Sequence, residues 1–280
     1  MPTDKDLVRI FKAARWEDQP SIDAFVKESS PVGSAEIRAV LPLLTDRSLA
    51  ADPNGHRRRC AAFNALVEAN PDERLFEPFV RALKNADGLF RAVLVNLLPR
   101  VNHVDLHGEL CQLLGSQDPD HRRAAAQVLR QIGGRSAFVT AADMCREANF
   151  PGRLEALEAF VPKARHGAIP MLAHVLAAGS PSERARALGY LGDAELMAKD
   201  LQGSVKVALG ALEDSDDRIV GRAVDAISAL VTEEDFFQLC GAQVDSTVLA
   251  VSKSVVEALR HFATARSIEV LGRKFRAGPN

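Results

Sequence analysis

The sequence predicts an all-α protein, an α-solenoid of about seven to eight stacked antiparallel helix pairs. Three observations predict this fold class. One amphipathic helix recurs at intervals of 31 to 36 residues along most of the chain. The apolar residues of each copy fall on a single helix face. The composition, 47% hydrophobic with one Trp, one Tyr and 13 Phe, suits closely packed helices rich in Ala, Leu and Val.

The most regular copy of this helix spans residues 118–133. Asp118 is a favourable N-cap, and Pro119 suits the first helical position. Gly133 follows the last turn, where glycine commonly ends a helix. The apolar residues between these signals, at helical spacing, are Ala125, Ala126, Leu129 and Ile132. One such helix cannot bury its apolar face alone, so neighbouring copies must share a core.

Alignment of the copies defines a core column of large apolar residues. Its members are Leu66, Leu98, Leu129, Phe160, Leu191, Ile227 and Leu259. The positions three and four residues earlier are apolar in every copy, which completes one helix face. Eleven residues before the core column stand good N-cap types, namely Asp87, Asp118, Asn149, Ser180 and Asp216. A shorter apolar helix precedes each copy, so the predicted unit is an antiparallel helix pair.

The periodicity predicts a single domain over residues 1–280. Residues 1–34 are expected to form N-terminal capping helices, residues 35–262 the repeats, and residues 263–280 a C-terminal capping helix and tail. Three segments are longer than the period requires: 45–56, 192–204 and 241–246. In a repeat array such insertions are expected to project from an edge, where partners often bind.

The second helix resembles that of HEAT repeats, in particular the short bacterial HEAT-like kind also found in phycobilin lyases. The resemblance rests on Asp118-Pro119, on Arg123-Ala124-Ala125-Ala126 and on Val128-Leu129. Asp52-Pro53 with Arg59 matches more loosely, as does the segment 180–192. The resemblance covers about residues 35–262 and implies a right-handed α-solenoid. Because the family includes scaffolds, lyases and enzymes, the resemblance is specific for fold and not for activity.

Five arginines form a column seven residues before the core column, which we call the arginine ladder: Arg59, Arg91, Arg122, Arg153 and Arg184. Forked guanidinium groups in such a row are suited to a carboxylate- or phosphate-rich partner. The alternative is structural: each arginine pairs with the cap residue four positions earlier, or with an equivalent residue of an adjacent unit. Similar Asp and Arg pairs tie units together in HEAT families. Asp87 and Asp118 stand at the required offset, which favours the structural alternative.

Two further features are candidates for partner binding. The segment His56-Arg57-Arg58-Arg59 has the highest density of charged residues in the chain. Positive charge at a helix start interacts mildly unfavourably with the helix dipole. Arg123 adds a cation beside the ladder. Two residues before the core column, a polar column is predicted to line the concave face. It consists of Asn64, Asn96, Gln127, Glu158, Gly189, Asp225 and Glu257. For both features, an ordinary solvated helix surface is the alternative.

No catalytic, cofactor or metal site is predicted. His103 and His107 share a helix face, but no third ligand is fixed and no HExxH motif is present. The repeated His-Glu pairs of HEAT-type di-iron hydroxylases are missing, as are GxSxG, P-loop and GxGxxG motifs. A net charge of −2 and few aromatic residues argue against nucleic acid as the partner, including the lesion chemistry of HEAT-like alkylpurine DNA glycosylases.

The remaining composition predicts a soluble cytoplasmic protein. No run of about 18 apolar residues occurs, so membrane insertion is not expected. The four cysteines are scattered in apolar helical contexts, which favours reduced buried thiols. The predicted function is a non-enzymatic protein–protein interaction scaffold or adaptor that binds on its concave face or loop edge. The alternatives are a phycobilin-lyase-like subunit or chaperone, and a nucleic-acid-binding protein that uses the arginine ladder.

Overall fold

The computed structural model describes residues 7–9, 11, 19–29, 31–45, 53–86, 88–101 and 105–277. Across these ranges the chain forms helices and turns and contains no strand. The chain divides into two compact units, Met1–Ala137 and Phe138–Asn280. The predicted all-α architecture of tandem helix pairs is confirmed, whereas the boundaries of the capping segments stay a prediction.

The first unit contains paired helices that alternate between a shorter first helix and a longer second helix. Its helices are α1 (Gln19–Ser29), α2 (Ser34–Thr45), α3 (Pro53–Ala69), α4 (Phe76–Leu83), α5 (Gly88–Val101), α6 (Leu106–Leu114) and α7 (Pro119–Ile132). Residues 7–9 and 11 are also helical, and a 3-10 turn at Glu73–Leu75 leads into α4. The second helices α3, α5 and α7 contact one another in sequence, and each packs on the first helix before it.

Helix α8 (Arg135–Met144) spans the boundary between the units. The helices of the second unit are α9 (Arg153–Ala164), α10 (Ile169–Ala178), α11 (Pro181–Leu191), α12 (Ala194–Met197), α13 (Leu201–Gly210), α14 (Asp217–Ser228), α15 (Glu233–Leu239), α16 (Gly241–Val244), α17 (Leu249–Phe262) and α18 (Ala265–Ala277). Two 3-10 turns, Arg165–Ala168 and Ala211–Glu213, precede α10 and follow α13. The second helices here are α9, α11, α14 and α17, again in contact in that order.

The predicted core column lies in the interior of both units. Each of its seven members is at most 3% exposed. The residues three and four positions earlier are buried as well, apart from the half-buried Val256. The i, i+3, i+4 pattern therefore identified the packed face of every second helix, because each helix buries one stripe against its neighbours.

The predicted helix starts are confirmed in three copies. The carboxylate of Asp118 accepts from the Asp120 amide at 2.8 Å, and that of Asp216 accepts from the Arg218 amide at 3.0 Å. Ser180 forms a complete capping box with Glu183. The N-cap predicted at Asn149 is wrong, because α9 begins only at Arg153. The intervening Phe150–Gly152 forms a turn whose Phe150 side chain is buried.

The insertions differ from the expectation of projecting loops. Residues 192–204 contain helix α12, whose Met197 is fully buried, so this insertion packs onto the unit. Residues 241–246 contain α16, in which Val244 is buried. Several residues of predicted features lie outside the described residues: residues 46–52 of the first insertion, Asp87 and His103. Within the described ranges, no helix is both long and apolar enough to span a membrane.

Candidate functional site

The ladder position of the first unit holds arginines directed into the fold. Arg91 places Nη1 2.8 Å from the Asp120 carboxylate of the next second helix. Its Nη2 donates to the Ala86 carbonyl at 2.8 Å. Arg122 donates to the carbonyls of Ser116 and Gln117 at 3.0 and 3.1 Å. Both guanidinium groups thus hold the turn that leads into their own helix.

Arg153 is the most enclosed ladder arginine, with only 4% of its surface exposed. Its guanidinium donates to three carbonyls of the preceding turn, those of Cys145, Glu147 and Phe150. Nη1 also lies 3.5 Å from the carboxylate of Glu183 in the next second helix. Glu183 is itself buried and accepts from the Ser180 amide at 2.6 Å. A buried cation is stable here because both its charge and its donors are satisfied.

Arg184 completes the pattern in the second unit, with Nη2 3.2 Å from the Asp214 carboxylate that precedes the next second helix. Three ladder arginines therefore pair with an acid of the following helix pair, which is the adjacent-unit form of the structural alternative. Arg59 is half-buried in α3. These contacts favour a structural role for Arg91, Arg122, Arg153 and Arg184, since each directs at least one Nη donor to an atom of the fold.

The basic segment at the start of α3 is more accessible. Arg57 is exposed and Arg58 half-buried, and neither forms a hydrogen bond or ion pair with another described residue. His56 lies 3.8 Å from the Cys60 sulfur. Further along the unit, exposed Arg123 pairs with the Asp120 carboxylate at 3.1 Å. Asp120 thereby joins Arg123 to Arg91.

The polar column lies at the solvent-accessible surface of the second helices, and its place on a concave face stays a prediction. Asn96, Gln127, Glu158, Gly189 and Glu257 are exposed, and Asn64 and Asp225 are half-buried. Within the second unit, the Glu158 carboxylate is 3.8 Å from Arg186, which joins the surfaces of α9 and α11. The column therefore marks a polar face in each unit.

An open groove of about 730 Å³ crosses three consecutive second helices of the second unit, α11, α14 and α17. Its lining includes a set of small residues, Pro181, Ala185, Gly221, Ala250 and Ser254. Gly221 is required by the close approach of α14 to α17. A Cβ atom at that position would lie 3.1 Å from the Ala250 carbonyl and 3.2 Å from the Ser254 hydroxyl. Small side chains thus leave a recess between the exposed charged residues.

The charges around this groove are arranged in two rows. Arg222 of α14 and Lys253 of α17 each precede an acid by about one turn, Asp225 and Glu257 respectively. Arg222 lies 3.6 Å from Asp225 on the same helix. Lys253 is exposed and has no hydrogen bond or ion pair with another described residue. The groove therefore offers a cationic row and an anionic row, one helical turn apart.

At one end of the groove, Arg218 is fixed by Asp216. Its Nη2 lies 2.8 Å from the Asp216 carboxylate, which also accepts from the Arg218 Nε. The side-chain hydrogen bonds from Arg218 hold the pKa of Asp216 below its ordinary value. The same bond raises the pKa of Arg218. Both groups are therefore charged at neutral pH, and the pair lines the groove.

Sequence reasoning missed this groove. The polar column pointed to Asp225 and Glu257, but Gly221, Arg222 and Lys253 stand at other offsets. The sequence did contain a signal for the groove. In the last two copies, the positions five and six residues before the core column hold small residues and cations.

The described residues contain no cluster of three or more His, Cys, Asp or Glu side chains able to hold a metal ion. His107 is half-buried in α6. The four cysteines are buried, and no disulfide joins them. Burial raises the pKa of Cys111 to about 11 and those of Cys145 and Cys240 to about 12. These three thiols are therefore poor nucleophiles, because a nucleophilic cysteine needs its thiolate form.

Comparison with known proteins gives one family match. Residues 76–160 match the family model of HEAT repeats. This segment runs from the start of α4 into α9 and contains the ladder residues Arg91, Arg122 and Arg153. No curated protein matches the chain.

Proposed function

Because this chain is a HEAT-like repeat protein, we propose that it is a non-enzymatic scaffold or adaptor that binds another protein on the exposed face of its second helices. The observation that carries the proposal is the groove across α11, α14 and α17, with small residues in its lining and two rows of charge. HEAT repeats commonly mediate protein interactions and are generally non-catalytic.

The groove suits a protein segment better than a small molecule. It is open along its length, whereas small-molecule sites usually enclose most of their ligand. Small residues such as Ala185 and Ser254 leave room for the side chains of a partner, and the charged rows can fix its direction. Stacked repeats present such surfaces over a long distance, which is typical of protein recognition by repeat arrays.

The first unit carries a candidate binding surface of its own. Asn64, Asn96 and Gln127 supply amide groups, and Arg57, Arg58 and Arg123 supply cations. Arg91 and Arg122 support this surface by holding the starts of α5 and α7. We further propose a cytoplasmic location, because four cysteines that form no disulfide are typical of a reducing compartment.

The proposal is tested by affinity capture with the full chain and paired variants. Lys253→Glu reverses the unpartnered charge at the groove, and its control Lys206→Glu changes an exposed lysine on the first helix α13. Ala185→Trp fills the groove, and its control Ala177→Trp adds the same bulk on the first helix α10. We expect the groove variants to lose proteins that the wild-type chain and both controls retain.

The thermal unfolding midpoint of each variant shows whether a loss of capture reflects unfolding. Equal capture by all five proteins would contradict binding in the groove. Retention of duplex DNA at low salt, lost in Arg57→Glu/Arg58→Glu, would instead assign the exposed cations to nucleic acid.

A further inference from the structure

The charged residues that line the groove leave one cation without a counter-charge. The other charges are paired within their own helix segment: Arg218 with Asp216 at 2.8 Å, Arg222 with Asp225 at 3.6 Å, and Glu257 with Arg260 at 3.3 Å. Lys253 makes no such pair within the part of the chain that the structure describes. The groove is therefore complementary to one negative charge, which has to lie over α17.

An exposed leucine stands next to this lysine. Leu249, the first residue of α17, is the most exposed large hydrophobic side chain among the described residues, at 83%. A single exposed leucine is ordinary on a protein surface. What distinguishes Leu249 is its place one helical turn from Lys253, on the same stripe of α17.

The direction of the groove across α17 follows from the packing against α14. In projection along α17, the accessible residues follow one another in the order Leu249, Lys253, Glu257, Ala250 and Ser254. Ala250 and Ser254 face α14, because their atoms are the ones that a Cβ on Gly221 would meet. A chain that leaves α14 over Ala250 therefore reaches Lys253 first and Leu249 next.

Three lining residues define a straight path toward this pair. Ser182, Arg218 and Ala250 each stand nine residues before the core column, so they occupy the same level of α11, α14 and α17. Helical side chains are directed toward the N-terminus of their helix, so Lys253 covers the surface near that level. The path thus crosses the early turns of all three helices and ends at Leu249.

The size of the groove favours an extended chain over a helix. Axes of packed helices lie about 8–10 Å apart, so a groove across three of them is about 16–20 Å long. A helix of that length and about 10 Å in diameter occupies about 1,400 Å³. The groove holds about 730 Å³, so such a helix could enter only in part. An extended chain covers the same distance with about five or six residues.

The spacing of Leu249 and Lys253 matches the side-chain repeat of an extended chain. Residues four apart on a helix hold their Cβ atoms about 5–6 Å apart. In an extended chain, residues two apart point to the same side and are separated by about 6.6 Å, whereas adjacent residues point to opposite sides. An acidic residue and an apolar residue two positions apart can therefore contact Lys253 and Leu249 together.

We propose that the groove binds an extended segment of a partner protein in which an acidic residue stands two positions from a large apolar residue. The acid pairs with the Lys253 ammonium, and the apolar side chain packs on Leu249. The rest of the segment lies over the small residues of α11 and α14, such as Ala185 and Gly221. This inference rests on the proposed scaffold function and adds the chemistry of the partner.

The test selects peptides of about nine residues from a random phage-displayed library on the immobilised full chain. Enriched peptides should share an Asp or Glu two positions from Leu, Ile, Met or Phe. The most enriched peptide, fluorescently labelled, should bind the wild-type chain saturably in anisotropy measurements. Replacement of its acid by Lys should weaken binding by about tenfold or more.

Two variants of the chain test the two contacts separately. On Lys253→Glu, the selection should enrich Lys or Arg at the position that held the acid. Leu249→Ser should weaken binding of the selected peptide by about tenfold, with an unchanged thermal midpoint because the side chain is exposed. The matched controls are Lys206→Glu and Leu201→Ser, which removes the leucine that begins α13. Both should bind the peptide as the wild-type chain does.

The proposal is overturned if no peptide is enriched, or if the same peptides are enriched on the wild-type chain and on Lys253→Glu. Enrichment of acids three or four positions from the apolar residue would assign the groove to a partner helix. Self-association that Leu249→Ser abolishes, without peptide binding, would assign it to a second copy of the chain.

The affinity capture described above separates this inference from the proposed function. If capture is lost in Ala185→Trp while the selected peptides are indifferent to Lys253 and Leu249, the groove binds a protein through other chemistry, and this inference alone fails. If Ala185→Trp leaves capture unchanged as well, the proposed function fails with it.

Discussion

Arg122 in the first unit and Arg153 in the second occupy the same position of the repeat, but their surroundings differ. Both donate to carbonyls of the turn that precedes their helix. Arg122 is half-buried, whereas Arg153 is almost fully buried and lies against the buried Glu183. The repeat position thus sets what the side chain does, and burial sets how much stability depends on it.

The largest expected effect is that of Arg153→Met. The substitution leaves the Glu183 charge and three carbonyls without their donor in a buried site, which should lower the free energy of unfolding by about 3–5 kcal/mol. Arg122→Met removes bonds from a more exposed site and should cost about 1 kcal/mol. Urea unfolding of both variants measures the difference. Equal losses would show that burial does not distinguish the two positions.

A double-mutant cycle sharpens the same comparison. Arg153→Met and Glu183→Gln should be coupled by about 1–3 kcal/mol, because the two side chains share a buried contact. The matching cycle in the first unit is Arg91→Met with Asp120→Asn, whose carboxylate is 50% exposed. Its coupling should be only about 0.2–1 kcal/mol. A larger coupling at Arg91 than at Arg153 would contradict the interpretation.

The next largest effect on stability is expected from substitutions at the C-cap residues of one helix in each unit. Helix α7 is followed by the C-cap Gly133, which has a positive φ of 38°, whereas α17 is followed by the C-cap Ala263 with a φ of 52°. Ala263→Gly should stabilise the protein by about 1 kcal/mol, since a left-handed conformation strains a residue with a Cβ atom. Gly133→Ala should destabilise it by a similar amount. Thermal unfolding midpoints that move in the same direction would be inconsistent with this account.

The smallest expected effect is a pH dependence of the stability of the protein that arises from Glu233 in the second unit. Glu233 accepts hydrogen bonds from the Ser267 and Thr264 hydroxyls, which lower its pKa from the ordinary value of 4.5. Because the folded pKa is the lower one, this stabilisation is present above pH 4.5 and is lost as the pH falls through the folded pKa. Glu233→Gln should flatten the acid limb of stability measured by urea unfolding. Its counterpart Glu234→Gln, on the exposed side of the same helix turn, should not.

The sequence predicted the packed faces of the second helices because apolar periodicity and burial have the same cause. It did not distinguish Arg122 from Arg153. That difference arises from Phe150–Gly152, a turn that delays α9 and encloses the guanidinium. The prediction of an N-cap at Asn149 failed for the same reason, since spacing alone does not show whether a segment turns or continues as helix.

The groove was partly predictable from the exposed polar column. Its depth depends on how closely α14 approaches α17 at Gly221, and this distance is set by tertiary packing rather than by any local pattern.

The four buried cysteines give each unit two internal reporters of its own motion. Cys60 and Cys111 lie in the first unit, and Cys145 and Cys240 in the second. A thiol that is shielded from solvent reacts with an alkylating reagent only when its surroundings open. The alkylation rate of each cysteine under native conditions therefore measures how often the repeat around it opens locally, and no reporter residue has to be introduced.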